Sequence, residues 1–562
     1  MVNSGDTAFI LIAAALVLLM IPGLALFYGG LARQKNVGST IMYSFATMGI
    51  VGVVWVLWGY TLAFGPDIGG FIGGLDNFGL AGVSASEGAT PDAKIPAQAF
   101  MIFQAMFAII TPALITGAFA GRMKFSALVI FIIALVTIVY DPLAHWVWGG
   151  GWLGGWGVLD FAGGTVVHIN SGVAALAAAI MHGVENLCDH LTHFNLFFCA
   201  DFARAAYAGR PWHDRAVTRF TAMEGSAVRA CVEARAQILH IVGLLGGKWP
   251  HTLAIQPGGV TRAPTARDRI RMTSTLAAFR RYLEGTLFGA PIEDFAGLTR
   301  AADLTGWTLG DAGLFMEIAE DLGLADMGHG SGRFLSFGAY PLPEGRAFAA
   351  GTWDNGTLGA VDTAEIREDL SHAWMLGEAR HPTEGRTDPD EDMQAPAYSW
   401  CKAPRLAGRT VETGALARQV IDGHPVARDL AAGGANVRAR VAGRLLEIAR
   451  TQILLEGWVA ALQTDAPFIT DVALPDAGSG EGLVEAARGA LGHWIKVEKG
   501  RIAGYQIVAP TTWNFSPRDA AGTPGPVEAA LEGAPVGPGE ETPLSVQHIV
   551  RSFDPCMVCT VH

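Results

Sequence analysis

The chain has 562 residues, a formal net charge of −13 and a hydrophobic fraction of 51%. This length is enough for several domains. An acidic balance without a run of Lys and Arg excludes a protein whose main partner is nucleic acid, because phosphate binding needs clustered positive charge. Six cysteines are too few for a disulfide scaffold in a chain of this length, which favours reduced thiols or a metal role.

Charge divides the chain into two parts. Residues 1–181 carry a balance of −2, and residues 182–562 carry the remaining −11. The stretch "AALAAAIMHGVENLCDHLTHF", residues 174–194, crosses from one composition to the other inside one helical pattern, without a Pro/Gly/polar linker. The sequence therefore predicts two domains, 1–181 and 182–562, and the abrupt join indicates two unrelated fragments.

Long apolar runs dominate the first domain. A bilayer core of about 30 Å needs about 20 apolar residues per helix, and about five runs meet this length. They cover residues 7–30, 39–64, 98–120, 126–148 and 161–181. This pattern predicts an all-α transmembrane bundle, because successive runs of this length are not typical of buried helices in soluble proteins.

Loop charges predict the orientation of the bundle. Arg33 and Lys35 follow the first run, and Arg122 and Lys124 follow the third, whereas the loop after the second run is acidic. Positive loops favour the cytoplasm, so we expect the N-terminus outside and the C-terminal domain in the cytoplasm. The first residues lack the pattern of a removable signal peptide.

Several motifs of the first domain resemble the ammonium transporter family. They are "PGLALFYGGLARQKNV", "AHWVWGGGWL" and "LDFAGGTVVHINSG". The resemblance covers essentially all of residues 1–181 and implies a homotrimer that passes ammonium or ammonia through a pore in each protomer. It implies that Phe107 is a gate, that Trp148 forms the external ammonium site with support from Asp160, and that His168 is the first of two pore histidines. A histidine satisfied by a neighbouring helix is the simpler alternative for His168.

This resemblance is incomplete. The family's second half is absent, and with it the second pore histidine and part of the external site. Gly121 stands where the family usually has a glutamate. A pore between two inverted halves cannot be enclosed by one half, so we expect no selective conduction.

The second domain has the mixed patterns of a globular protein. Apolar residues at helical spacing predict helices in 213–240 and 428–463. "GHWIKVEKGRIAGYQIV" predicts a β-hairpin that turns at "EKG". Residues 340–400 and "GGKWPHTLAIQPGGVT" are typical of loops because they are rich in Gly and Pro.

The end of the chain, "DPCMVCTVH", carries the clearest chemical signal. A lone pair such as Cys556 and Cys559 is half a metal site, a redox dithiol or two structural thiols. His562, the last residue, adds a further ligand-type side chain.

Together with "RGALGHWIKVEKGRIAGYQIVAPTTWN", "LLGGKWPHTLAIQPGG" and "DHLTHF", this motif resembles the large subunit of nickel–iron hydrogenases. The resemblance covers nearly all of 182–562. It implies an oxidoreductase acting on H2, a nickel–iron centre whose iron carries CO and cyanide, and an iron–sulfur small subunit as partner. Ending at His562 fits either a processed chain or the H2-sensing branch of the family.

The resemblance also implies roles for individual residues. Cys556 would be a terminal thiolate on nickel, Cys559 would bridge nickel and iron, and His562 would bind magnesium or another divalent ion. Soft sulfur donors suit such metals. Arg488 would lie over the centre beside Asp189. Pro510 and Thr511 would line the cyanide pocket, with the Thr511 hydroxyl as donor.

Simpler interpretations stand beside these roles. Arg488 and Asp189 could form a structural ion pair, and His190 and His193 are typical of packed core groups. The remaining cysteines have no partner at ligand spacing and are interpreted as buried thiols; they are Cys188, Cys199, Cys231 and Cys401. The family's first cysteine pair lies in an N-terminal region that the transporter-like domain replaces here.

We therefore expect a multidomain protein: a transmembrane bundle of about five helices, then a mainly α-helical α+β globule of hydrogenase large-subunit type. The favoured function is hydrogenase-like H2 oxidation or sensing, poorly active or inactive because half of the donors are missing. The alternatives are ammonium transport by the first domain and a non-functional chimera.

Overall fold

The computed structural model describes residues 2–31, 37–88, 93–119, 125–151, 169–256, 259–342, 345–463 and 476–556. The chain separates into two compact units, unit 1 (Met1–Ile169) and unit 2 (Asn170–His562). The predicted division at 181/182 concerns the origin of the two sequences and stays a prediction.

Unit 1 is built from apolar helices. They are α1 (Ser4–Leu31), α2 (Val37–Val54), α3 (Tyr60–Phe64), α4 (Ala97–Phe119), α5 (Phe125–Leu135) and α6 (Asp141–Trp148). One π-helical turn joins α2 to α3, and a second joins α5 to α6, so both pairs are continuous. The helices coincide with the first four predicted runs, while residues 152–168, which include the start of the fifth run at 161–168, lie outside the described residues.

Length and hydropathy support one membrane-type helix in the described part of the chain. Residues Ile41–Phe64 form a helical segment of 24 residues with a mean hydropathy of 1.8. Shorter apolar helices occur at Ser4–Leu19, Ala97–Ile109 and Phe125–Ile138. The number of spans therefore stays a prediction.

A short loop structure follows α3. Strands β1 (Asp67–Ile68) and β2 (Ile72–Gly73) pair in antiparallel fashion. Trp55, in the turn between α2 and α3, is buried, and its Nε1 donates to the Met101 carbonyl at 3.3 Å, which ties α4 to this junction.

Unit 2 begins with α7 (Ile169–Thr192), which continues as a π-helix over His193–Phe198. This helix runs unbroken through the point where the sequence changes composition. Ala179, Ile180 and Met181 lie in the same hydrophobic core as Leu187 and Leu191. The described end of the fifth apolar run is therefore part of the core of unit 2.

Unit 2 contains further helices after α7, of which the longest is α16. They are α8 (His213–Phe220), α9 (Ser226–Gly246), α10 (Ala266–Tyr282), α11 (Ile292–Ala296), α12 (Ala301–Thr305), α13 (Gly310–Asp321), α14 (Ala415–Ile421), α15 (Pro425–Leu430), α16 (Val437–Ala461), α17 (Pro510–Asn514), α18 (Pro526–Leu531) and α19 (Leu544–Ser552).

The two predicted helical regions are each interrupted. Residues 213–240 form α8 and α9 with a turn at 221–225, where a Cβ on Gly225 would lie 2.3 Å from the Arg219 carbonyl oxygen. Residues 428–463 contain the end of α15 and then α16, which begins after Asn436, whose side chain accepts from Ala439 N at 2.9 Å. Both breaks depend on backbone approach and capping, which apolar periodicity does not encode.

The sheets of unit 2 are small and antiparallel. Their strands are β3 (Ile255–Gln256), β4 (Gly259–Val260), β5 (Arg333–Ser336), β6 (Ala339–Leu342), β7 (Gly345–Phe348), β8 (Gly351–Asp354), β9 (Thr357–Gly359), β10 (Ile366–Asp369), β11 (Ala403–Leu406), β12 (Ala477–Ala486), β13 (Gly489–Glu498) and β14 (Arg501–Val508). The described order is β3–β4, β5–β8–β9, β6–β7, β10–β11 and β12–β13–β14.

The predicted hairpin is confirmed. Strands β13 and β14 pair with Glu498 opposite Arg501. Lys499 and Gly500 form the turn with φ of 54° and 67°. Two central residues with positive φ match the twist of an antiparallel pair, which is why Gly belongs in this turn.

Candidate functional site

Four segments that are distant in sequence supply the candidate site of unit 2. Asp189 lies near the end of α7, and Arg488 lies in the turn between β12 and β13. Thr511 lies in the first turn of α17, and Cys556 follows α19. Only the tertiary fold brings these segments together.

Arg488 lies between two carboxylates. Its Nη1 is 2.8 Å from Asp189 Oδ2, and its Nε is 3.3 Å from Asp554 Oδ1. The Arg488 and Asp189 side chains are 31% and 27% exposed, whereas that of Asp554 is 3% exposed. The predicted neighbours are thus adjacent, and their proposed roles over a metal centre stay predictions.

The turn that presents Arg488 depends on Gly489. Ala486 pairs with Gly489, so Ala487 and Arg488 form the two-residue connection between β12 and β13. Gly489 has a φ of 134°, and a Cβ there would lie 2.4 Å from Thr413 Oγ1. Only glycine fits this backbone without strain, and its position sets the direction of the arginine.

Asp554 was missed by the sequence analysis. It is buried, and its φ of 58° is unusual for a residue other than glycine, although Asp tolerates that region better than most. Arg444 Nε lies 3.9 Å from Asp554 Oδ2, and within the described part of the chain neither atom has a hydrogen-bond partner. The sequence feature that could have identified Asp554 as a site residue is its position two residues before Cys556.

Burial and charge shift the pKa values of this group. Burial raises the pKa of Asp189, Asp554 raises it further, and Arg488 opposes both. Burial lowers the pKa of Arg444. Burial would also lower the pKa of Arg488, but the carboxylates of Asp554 and Asp189 more than offset it, so its pKa is raised. Arg488 is therefore a permanent cation in the site, and Asp189 is the member whose proton affinity is increased.

Thr511 meets the chain at Cys556. Pro510 opens α17, where the missing N–H of proline is tolerated, and both Pro510 and Thr511 are buried. The Cys556 backbone N–H donates to Thr511 Oγ1 at 3.3 Å. The hydroxyl oxygen is thus an acceptor here, and the predicted donation to cyanide stays a prediction. Cys559 and His562 lie outside the described residues.

The cysteines that the structure describes do not form a complete nickel–iron cage. Within the described residues, no three His, Cys, Asp or Glu side chains are placed to hold a metal ion. Cys188, Cys199 and Cys231 are buried, and burial raises all three thiol pKa values, to about 12 for Cys188 and about 11 for Cys231. Because no described cluster of donors surrounds Cys556, the described donors do not fit a centre that needs four thiolates.

Cys401 corrects the expectation of a buried thiol, because it is only half-buried. It lies in a turn in which its N–H donates to Ser399 Oγ at 2.9 Å, and its Sγ is 3.9 Å from the Thr512 carbonyl. The turn before β11 holds it near the surface of the unit.

The two histidines of "DHLTHF" have core partners. His190 Nε2 lies 3.0 Å from Glu447 Oε1, and both side chains are fully buried. His193 Nε2 lies 2.7 Å from the Arg551 carbonyl, and burial holds the His193 pKa well below its usual value. A neutral His193 therefore donates to that carbonyl. Both contacts match the simpler interpretation of these residues.

A buried ion network lies beside His190. Arg418 is fully buried and donates to Glu447 and Glu485, each at 2.8 Å. Burial raises the pKa of Glu485 to about 7 although Arg418 opposes it. His182, the first residue of the predicted second domain, contacts the Glu485 carbonyl through Nε2. The sequence analysis did not identify this network, because its members are far apart in sequence.

In unit 1 the structure describes part of the predicted ammonium site. Phe107 is half-buried on α4, with its ring 5.0 Å from that of Phe103. Trp148 is half-buried at the end of α6. Asp160, His168 and Gly121 lie outside the described residues, so their places beside Phe107 and Trp148 in an ammonium site stay predictions.

A polar contact that the sequence analysis missed lies close to Trp148. His145 is fully buried, with Nε2 at 2.8 Å from Asp67 Oδ1 and Nδ1 at 3.0 Å from the Ala63 carbonyl. It ties α6 to the loop that begins at β1. The sequence feature that could have identified His145 is a histidine inside an apolar run.

These observations define a chain in two parts: a membrane-type helical region, then a helix-and-sheet region in which an arginine–carboxylate group lies close to a C-terminal cysteine. Residues 228–562 match the nickel-dependent hydrogenase family, and residues 8–190 match the Ammonium Transporter Family. The first match covers more than half of the chain, so the chain belongs to the nickel-dependent hydrogenase family, with an ammonium-transporter-like region fused to it.

Solved structures similar to this chain are [NiFeSe] hydrogenases. The reduced enzyme from Desulfovibrio vulgaris Hildenborough is 25% identical with a TM-score of 0.56, covering 69% of this chain and 82% of that one. The reduced, active enzyme from Desulfomicrobium baculatum is 25% identical with a TM-score of 0.57, covering 69% and 83%. The family and these neighbours support a nickel–iron centre as the cofactor type of this region.

Curated relatives of the first region are ammonium transporters. The transporter of Bacillus subtilis (strain 168) is 56% identical over 179 residues, which are 32% of this chain and 44% of the relative. The putative transporter of Methanothermobacter thermautotrophicus is 51% identical over 184 residues, which are 33% and 45%. This chain thus spans less than half the length of these relatives. The similarity to ammonium transporters supports a membrane location for its N-terminal part.

Proposed function

We propose that residues 182–562 form an H2-oxidising or H2-sensing site of hydrogenase large-subunit type that is incompletely equipped. The observation that carries the proposal is the position of Arg488, 2.8 Å from Asp189 and 3.3 Å from Asp554, which lies two residues before Cys556. A half-buried cation between carboxylates is costly to maintain for stability alone, and perturbed groups of this kind cluster at functional sites.

The proposed cofactor is a nickel–iron centre whose iron carries CO and cyanide, which would supply the H2 chemistry when bound. Cys556 and Cys559 would be its thiolates, and His562 would hold magnesium or another divalent ion. Because the described donors do not complete such a centre, we assign no H2 cleavage step to them. The residues in place hold a fixed positive charge at Arg488 and a proton-accepting carboxyl at Asp189. The proposed partner is an iron–sulfur small subunit.

Metal analysis tests this proposal. The full chain, produced with a small subunit under nickel-replete conditions, is expected to hold nickel well below stoichiometric amounts and to show no H2–D2 exchange. Cys556→Ser should remove any residual nickel, whereas Cys401→Ser, a matched change at another half-buried thiol, should not. Stoichiometric nickel together with infrared bands of CO and cyanide would contradict the proposal that the metal site is incomplete. Equal residual nickel in both variants would remove Cys556 from the site.

The second candidate function is transport of ammonium or ammonia by residues 1–181 as a homotrimer. The described Phe103–Phe107 aromatic pair supports it, because aromatic faces attract a desolvated cation. Phe107, Trp148, Asp160 and His168 would carry it. Proteoliposomes holding the full chain should show no ammonium-dependent current, because one half cannot enclose the pore. A current abolished by Phe107→Ala and kept by Phe9→Ala, an exposed position, would establish transport instead.

The third proposal is that the chain is a chimera, in which the hydrogenase-like activity and the transport activity are both weak or absent. The chain would lie in the inner or plasma membrane with its N-terminus outside and residues 182–562 in the cytoplasm. Sequencing native DNA across the codons for Ile180 to Gly183 tests whether the join is encoded. A continuous reading frame supports a fusion, and a break in it supports an assembly error.

A further inference from the structure

Arg418 contacts the connection that carries Arg488. Ala486 is the last residue of β12, and Ala487 and Arg488 join that strand to β13. Arg418 Nη1 donates to the Ala486 carbonyl, and Arg418 Nη2 donates to the Ala487 carbonyl, both at 2.8 Å. One guanidinium on α14 therefore binds two consecutive peptide carbonyls immediately before Arg488.

The other donors of Arg418 bind carboxylates. Its Nη1 donates to Glu485 and its Nη2 to Glu447, both at 2.8 Å, and its Nε donates to Glu447 Oε2 at 2.9 Å. Every N–H group of the planar guanidinium thus has an acceptor. The Arg418 side chain is fully buried, so water does not compete for these bonds. The network holds the plane of the guanidinium, and with it the two carbonyls, in one orientation.

The segment that leads into α14 contacts the same connection at its other end. A Cβ on Gly489 would lie 2.4 Å from Thr413 Oγ1. The Thr413 backbone is bound in turn by Asn514, whose Oδ1 accepts from Thr413 N and whose Nδ2 donates to the Thr413 carbonyl, each at 3.0 Å. Asn514 ends α17, the helix whose Thr511 accepts from the Cys556 N–H. Residues 413–418 therefore link the connection to the helix that meets the C-terminal cysteine.

Stability alone does not account for this network. Burying a guanidinium with two carboxylates has a desolvation cost that can exceed the gain from the ion pairs. Bonds to two consecutive carbonyls supply direction instead, because they fix the peptide units from which the next side chain projects. Charged side chains of a functional site need such support from the residues around them.

We propose that Arg418 is a positioning residue for Arg488, orienting the β12–β13 connection so that the Arg488 guanidinium meets Asp189 and Asp554. The importance of this role for H2 chemistry rests on the proposed function. The positioning itself concerns only residues of this chain, and it can be measured without a metal.

Modification of arginine by phenylglyoxal tests the positioning. In the full chain Arg488 should react slowly, because two carboxylates hold its guanidinium. Arg418→Lys keeps a buried cation, but an ammonium cannot bind both carbonyls and both carboxylates in one plane. Arg488 should then react on the order of tenfold faster, which corresponds to the loss of about one hydrogen bond to a charged group. Mass spectrometry of the peptide that contains Arg488 measures the rate.

Arg405→Lys is the matched control. Arg405 is a buried arginine of the same unit whose Nε donates to Asp519 at 2.8 Å and whose Nη2 donates to the Pro517 carbonyl at 3.1 Å. None of its hydrogen-bond partners among the described residues lies in the β12–β13 connection. This variant should also lower the stability of unit 2, but it should leave the rate at Arg488 unchanged. Equal rates at Arg488 in the two variants would overturn the positioning and leave Arg418 a structural role alone.

A second variant keeps the test valid if the Arg418→Lys chain does not fold. Arg418→Gln with Glu447→Gln removes one cation and one carboxylate, and Glu485, whose pKa Arg418 lowers, then keeps its proton. Arg488 should again react faster, and an unchanged rate in this variant would overturn the positioning. Because the rate requires no metal, a result against the nickel–iron centre leaves this test unaffected. An unchanged rate, in turn, leaves the proposed metal site untouched.

Discussion

Arg488 Nη1 lies 2.8 Å from Asp189 Oδ2, although one residue comes from a strand connection near the end of unit 2 and the other from its first helix. Asp554 approaches the same guanidinium at 3.3 Å. One planar group with several N–H donors can meet two carboxylates at once, which a lysine ammonium on a flexible stem does poorly. The site therefore depends on arginine at this position and not on positive charge alone.

Replacing Arg488 by lysine should weaken unit 2. The substitution Arg488→Lys keeps the charge, but the shorter ammonium could not reach both carboxylates, so we expect a loss of about 1–2 kcal/mol of unfolding free energy, moderated by partial solvent exposure. Thermal unfolding followed by circular dichroism measures it. Arg501→Lys, at the exposed β13–β14 turn, is the matched control and should be neutral. Equal melting temperatures for both variants would contradict a structural role for the pair.

Gly489 should not tolerate a side chain. A Cβ would meet Thr413 Oγ1 at 2.4 Å in a backbone with a φ of 134°, so Gly489→Ala should cost about 1–3 kcal/mol and displace Arg488. Gly480→Ala in the neighbouring strand is the control, because the nearest atom there is 3.8 Å away. Denaturant unfolding of both variants gives the comparison, and a neutral Gly489→Ala would show that the turn relaxes.

Glu485 should make unit 2 sensitive to pH. Burial raises its folded pKa to about 7 from an ordinary value of 4.5, so between these values the folded chain holds a proton that the unfolded chain has released. Its contribution to stability is complete at low pH and is lost as pH rises through about 7. Glu485→Gln mimics the protonated form and should flatten this part of the profile.

The measurement is unfolding free energy from pH 4.5 to 8 for the wild type and the variant. The Glu485→Gln protein should gain stability relative to the wild type as pH rises, with the difference levelling off above about pH 7. Glu498→Gln, at an exposed position of β13, makes the same charge change and serves as the control. A constant difference between wild type and Glu485→Gln at every pH would refute the raised pKa.

Ile180 should stabilise unit 2 although its sequence belongs to the transporter-like part. It is fully buried in the core that also holds Leu187 and Leu191. Ile180→Ala should cost about 2–5 kcal/mol through lost burial and the cavity left behind. Val232→Ala, at a position 48% exposed, should cost much less. Thermal unfolding of unit 2 tests this prediction. An unchanged melting temperature in Ile180→Ala would show that this part of α7 does not stabilise the core of unit 2.

Elements that depend on local pattern were predictable. The turn at Lys499 and Gly500 was anticipated because alternating apolar strands around a Gly-containing turn are a short-range signal. Helix positions in unit 1 followed from apolar runs. The breaks at Gly225 and before Asn436 were not predicted, because a close backbone approach and a cap leave little trace in periodicity.

Site residues divide in the same way. Cys556, Asp189, Arg488, Pro510 and Thr511 were found through motifs, and the structure brings Asp189 to Arg488 and Thr511 to Cys556. Asp554 and the pair of Arg418 with Glu447 were missed. Cys559, His562, Asp160 and His168 lie outside the described residues, and their roles stay predictions.

The sequence by itself determined that this chain has two parts, which families they resemble, and that a single CxxC pair supplies the recognisable metal-type thiols. These are properties of composition and of short motifs, which can be recognised without knowledge of the tertiary structure. The tertiary structure alone decided that α7 continues through the join into the core of unit 2, and that Arg488 faces Asp554 as well as Asp189. Such relationships arise because burial selects partners by shape and charge across the whole chain, and no local pattern records that choice.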